Sequence, residues 1–157
     1  MMGNEKKGAK AMPDSWDVLV RIGSTGDGDA QWCETVTSGQ LQRRDSRILL
    51  SYAEYLTEDG RDPGDRTQVK LLAEAGRVMM RRDGAFNVAM VFDPSAPYEG
   101  TYHTPYGDLR FMLTTELCEV SLSDTSGCIA LCYGLAFSGA EPDDRQMRIT
   151  WEERKPC

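Results

Sequence analysis

One histidine, His103, and no Cys-x-x-Cys pair leave the chain without the ligand spacing of a zinc site. No Gly-Lys-Ser/Thr follows a glycine-rich loop and no Gly-x-Ser-x-Gly elbow occurs, so neither a nucleotide cradle nor a serine hydrolase signature is present. Positive charge is short as well. Lys and Arg number 18 against 25 Asp and Glu, a net charge of −7, which makes nucleic acid and anionic membrane surfaces poor partners. No apolar run approaches the roughly 18 residues of a membrane helix, and residues 1–14 lack the apolar centre of a signal peptide. The five cysteines are odd in number, and Cys128 and Cys132 would stand about 13 Å apart on one strand, too far for a disulfide or a shared metal. A cytoplasmic protein without a cofactor is the expectation.

What is present is a repeated short alternation of apolar and polar residues, each closed by a turn. Residues 1–14 read as a disordered leader, residues 15–154 as one domain, and residues 155–157 as a frayed tail. Trp16, Val18, Val20 and Ile22 make the first period-2 strand, ended by the loop Gly23 to Asp29. Gln31 to Thr37 is read as a second strand, Ser38-Gly39 as a turn, and Gln40 to Arg44 as a short third strand. Arg47 to Thr57 follows, with Ile48, Leu50, Tyr52 and Glu54 on one face, and then the Asp-, Gly- and Pro-rich loop Glu58 to Arg66. Thr67 to Ala75 and Arg77 to Asp83 read as two strands about Gly76, although Gln68 to Ala75 would also suit a helix. Asp83-Gly84 predicts a two-residue hairpin. Beyond it, Ala85 to Phe92, Tyr98 to Thr104 and Asp108 to Glu116 read as a three-strand meander, continued by Leu117 to Leu122. Cys128 to Phe137 alternates small with large residues, and Gln146 to Glu153 ends the pattern.

About ten short strands with frequent turns and no long helix predict an all-β domain. A closed or nearly closed antiparallel up-and-down β-barrel of about eight to ten strands is favoured over a sandwich, because closure removes exposed edges. The segments Val18–Gly23, Glu34–Gly39, Leu50–Glu54 and above all Gly100–Gly107 (GTYHTPYG) resemble the YwiB-like family of small bacterial proteins. That resemblance spans roughly Trp16 to Trp151. It implies a calycin, or lipocalin-type, barrel and carries no activity and no catalytic residues with it.

Three functions from different classes compete. The first is a non-enzymatic binder of a small amphipathic molecule in the barrel interior, with Tyr52, Glu54, Asn87, Tyr102, His103 and Tyr106 as the lining. Glu54 would there be either solvated at the mouth or facing a cavity with a partner. The second is an enzyme pairing His103 with a carboxylate, for which Glu99 is too distant on its own strand and Glu54 or Asp108 would have to come from a neighbour. The alternative for His103 is a structural one, holding the Thr104 to Gly107 turn. The third is a filled barrel that forms a homodimer through its Phe86, Val88 and Met90 wall. Arg43, Arg44, Arg47 and the Arg81-Arg82 pair read as solvated strand faces in so acidic a chain.

Overall fold

Alternation of buried and exposed side chains runs through ten strands. The computed structural model describes residues 15–25, 32–55, 66–84, 86–138 and 140–154. In chain order the strands are β1 (Ser15–Thr25), β2 (Trp32–Arg44), β3 (Arg47–Tyr55), β4 (Arg66–Glu74) and β5 (Arg77–Asp83). They continue as β6 (Val88–Phe92), β7 (Tyr98–Thr104), β8 (Gly107–Leu122), β9 (Ser126–Phe137) and β10 (Asp143–Glu153). All pair antiparallel in one sheet of order β6-β5-β4-β3-β2-β1-β10-β9-β8-β7, and the described residues contain no helix. The leader, residues 26–29 and 58–65 of the two expected loops, residues 56–57 of the expected strand before the second, and the tail lie outside the described residues.

The two edges of that sheet, β6 and β7, meet and close it. Among the described residues their junction is one residue pair: Asn87 N donates to His103 O and His103 N to Asn87 O, each at 2.9 Å. The barrel is therefore nearly closed, and the expected β6–β7 hairpin is instead its seam. Proline accounts for this, since Pro94 and Pro97 bracket the connection and supply no ladder donor. Asp83-Gly84 likewise makes no two-residue turn. The chain leaves β5 at Asp83 and rejoins the ladder at Val88, with Gly84 N bonded to Asn87 Oδ1 at 3.1 Å.

Two other expectations resolve. Residues 68–75 lie largely on β4, whose Val69, Leu71 and Ala73 are buried, so inward packing overrides their helix propensity. Ser38-Gly39 is no turn, because β2 runs unbroken for 13 residues. At Gly39 a Cβ would stand 2.7 Å from Ser51 O and 2.9 Å from Val20 Cγ2, so the glycine permits close approach of neighbouring strands. In β8 a bulge between Thr115 and Leu117 shifts the parity, so that Leu113 and Thr115 point inward before it and Cys118 after it.

The interior divides by end. The end carrying the β2–β3 and β4–β5 turns is filled by Ile48, Leu71, Val78, Phe92, Leu113, Ile129 and Trp151, all buried. Toward the other end the inward positions turn polar: Ser24, Glu54, Thr67, Arg82, Thr104 and Arg145.

Candidate functional site

Alternation along β5, β7 and β10 brings Arg82, Thr104 and Arg145 to the polar mouth. Val78 and Met80 on β5 point inward, so Arg82 does too, while its neighbour Arg81 faces outward and bonds Asp83 Oδ1 at 3.3 Å. On β10 the inward set Trp151, Ile149 and Met147 extends to Arg145, which sits directly across from Tyr133 of β9. The reading of Arg81-Arg82 as a solvated pair is thereby corrected for Arg82, whose side chain is 22% exposed.

These groups surround a cavity of about 440 Å³ opening at the barrel mouth. Arg82, Arg145, Tyr102, Tyr133 and Thr104 form its polar part, and Phe86, Met90, Leu135, Phe137 and Met147 its apolar part. Below it, the Phe92 and Tyr133 rings meet edge to face at 5.0 Å and mark where the interior becomes solid.

Electrostatics tie the mouth together. Arg82 Nη1 pairs with Glu54 Oε1, both side chains being largely buried. Glu54 thus faces the interior with a partner. Burial alone would lower the Arg82 pKa, but Glu54 with Tyr52, Tyr102 and Tyr133 more than offsets it, so the guanidinium is held charged. Arg145 Nε donates to Asp143 Oδ2 at 3.1 Å, and Arg145 faces Tyr133 across the β9–β10 ladder. Burial raises the Tyr133 pKa against the pull of Arg145 and Arg82, so Tyr133 stands within the field of both arginines. Tyr52 is almost wholly buried; burial and then Glu54 push its pKa up, and its hydroxyl has no hydrogen-bond partner among the described residues.

Of the six residues expected to line the interior, Tyr52, Glu54 and Tyr102 point into it. The other three do not. Asn87 is exposed at the seam, His103 faces outward, and Tyr106 is 94% exposed at the tip of the β7–β8 turn. That turn is held by Thr104, whose hydroxyl donates to Gly107 O at 2.7 Å and accepts from Tyr106 N at 3.1 Å. His103 Nδ1 lies 3.0 Å from Asp108 Oδ1, a cross-strand pair whose side chains are 57% and 62% exposed. A shallower groove of about 360 Å³ runs along the seam beside it, between Val88 and Ala89 of β6 and Tyr98 and Thr101 of β7. Sequence reasoning missed Arg82, Arg145 and Phe86 as lining residues. Their signal was the continuation of each strand's inward alternation to its end.

The proposed dimer wall is also revised: Val88 and Met90 are buried inside and Phe86 lines the cavity. Cys33, Cys118, Cys128 and Cys132 are free thiols, and no metal-binding cluster occurs among the described residues.

Residues 20–149 match the family model described as a domain of unknown function, DUF1934. The chain belongs to the DUF1934 family. Its barrel superposes on the crystal structure of ywiB protein from Bacillus subtilis with a TM-score of 0.76, at 21% identity, covering 94% of this chain and 99% of that one. At that identity the likeness shows the fold, and it agrees with the YwiB-like resemblance carried by the GTYHTPYG segment. No curated protein matches this DUF1934 chain. No helix among its described residues is long and apolar enough to cross a membrane.

Proposed function

We propose that this DUF1934 barrel binds a small amphipathic molecule in its interior without transforming it, in the manner of a calycin-type barrel and in the bacterial cytoplasm. The observation that carries this reading is the cavity at the mouth, apolar on Phe86, Met90 and Met147 and polar on Arg82, Arg145 and the tyrosines. Its volume falls within the roughly 300–1,000 Å³ of small-molecule sites, which combine apolar walls with a few placed polar groups. Native mass spectrometry of the protein purified from its own host is expected to show a mass excess that disappears on denaturation. Protein that carries no such mass excess, joined to an absence of binding by an amphipathic fluorophore, would overturn the proposal.

A second reading has one observation in its favour. His103 and Asp108 are at hydrogen-bond distance beside the seam groove, as a histidine base and its orienting carboxylate would be. Both side chains are over half exposed, and residues directly opposite on antiparallel strands meet without any functional cause. A turnover found in a broad hydrolase substrate screen and lost in His103→Gln would favour this reading over binding.

A further inference from the structure

The cavity at the mouth ends in the same way on six strands. On β1, Ser24 lines it and the next inward residue, Ile22, does not; the same step separates Arg82 from Met80 on β5, Met90 from Phe92 on β6 and Leu109 from Phe111 on β8. On β9 and β10 the step falls between Tyr133 and Leu131 and between Met147 and Ile149. Those six residues below the cavity are all buried and belong to one continuous core, so they make a floor closed to a ligand.

Depth and width follow from this floor. β9 carries three lining positions, Phe137, Leu135 and Tyr133, which span about 13 Å of strand and, at a barrel tilt of about 40°, about 10 Å along the axis. An extended chain advances about 1.2 Å per bond, so roughly eight carbons reach from mouth to floor. The volume of about 440 Å³ over that depth gives a cross-section of about 44 Å². A methylene chain fills only about 25 Å², taking the roughly 30 Å³ that a water-sized group occupies in a liquid. The site is short and wide, and its walls carry the rings of Phe86, Tyr102 and Phe137.

We infer that the ligand class of this barrel is a compact, ring-bearing amphiphile, and that chain length beyond about eight carbons adds nothing to its binding. This rests on the ligand-binding reading above and adds the shape of the ligand. A single straight chain leaves about half the cross-section unfilled, and its further methylenes stay in water, where they gain no burial. A fused ring system fills the width and lays its faces against the aromatic walls.

Equilibrium dialysis of the full chain against hexanol, octanol, decanol, dodecanol and 2-decalinol tests the inference, the last being a fused bicycle with the carbon number and the single hydroxyl of decanol. From hexanol to octanol affinity is expected to rise about fourfold per methylene, and beyond octanol by less than about twofold. 2-Decalinol is expected to bind about tenfold more tightly than decanol, which leaves roughly two methylenes outside. In Phe92→Ala the rise should continue to decanol, because the missing ring opens the floor. That variant loses a fully buried ring, so Met147→Trp, which fills the cavity at a lining position, is its companion: it should weaken 2-decalinol about tenfold and leave hexanol within about threefold. A rise that carries on through dodecanol in the unaltered chain, or decanol bound as tightly as 2-decalinol, overturns the compact ligand and leaves the ligand-binding reading standing. Binding of none of the probes overturns both. A 2-decalinol affinity unmoved by Met147→Trp puts the probe outside this cavity and overturns the inference as well.

Discussion

Arg81 and Arg82 are adjacent in sequence and opposite in environment. Arg81 is solvated beside Asp83, whereas Arg82 lies inside against Glu54. Removing one partner of a largely buried pair strands the other charge, so Arg82→Met is expected to cost roughly 1–3 kcal/mol, below the full buried-pair range because both groups keep some solvent contact. The Arg82→Met, Glu54→Leu double variant should recover most of that loss in urea melts. A double variant no more stable than the single one would show that the pair is not the cause. Inward placement of Arg82 was legible from Val78 and Met80, and that of Arg145 from Met147 and Ile149, once alternation is followed to the strand ends. The Glu54–Arg82 contact was not legible. It depends on the registers Glu54↔Thr67 and Val69↔Arg82 across two ladders, and periodicity within one strand carries no register.

At the scale of elements, strand existence was legible and strand continuity was not. Ser38-Gly39 has turn composition, yet β2 passes straight through it because Gly39 lets Ser51 and Val20 approach. Gly39→Ala is accordingly expected to destabilise by about 1–3 kcal/mol through overpacking against Ser51 O and Val20. Thermal melts of that variant check this, and an unchanged melting temperature would contradict the close approach. The seam gives a second expectation. β6 and β7 each have a full ladder on one side and, among the described residues, only the Asn87–His103 pair at the seam on the other, while β1 and β10 lie between paired neighbours. Amide hydrogen exchange should therefore be fastest along the seam sides of β6 and β7 and slowest in β1 and β10. Uniform protection across all ten strands would contradict single-pair closure.

The whole molecule was predictable to the level of a nearly closed all-β barrel, because ten alternating segments with frequent turns leave few other ways to cover sheet edges. Where it closes was not predictable. That follows from which strands fail to pair, and the alternation of Ala85 to Phe92 and Tyr98 to Thr104 suits a meander as well as a seam. The interior also sets the response to alkali. Burial, then Asp93, pushes the Cys118 thiol up to about 11 from an ordinary value of 9.0, and burial raises Tyr52 and Tyr133 above 10.0. Below the ordinary values both states hold these protons, and stability is complete. As pH rises the unfolded chain releases protons that the folded chain keeps, so stability falls, from about pH 9 to about 11 for Cys118 and from about 10 upward for the phenols. Urea midpoints should drop by the equivalent of roughly 1–2 kcal/mol between about pH 8 and about pH 10, and less so in Cys118→Val.

The strand order gives the seam one more meaning. The first and last described strands lie in the middle of the sheet: β1 and β10 are central and pair with each other, and Arg154 N still bonds Asp17 O beyond the ladder. Starting instead at β7 and joining β10 to β1 would turn the spatial order into the sequence order, with every strand beside its successor. A circular permutant cut between Ser95 and Ala96 and spliced through residues 155–157 and 1–14 should thus keep all nine ladders and fold to the same barrel.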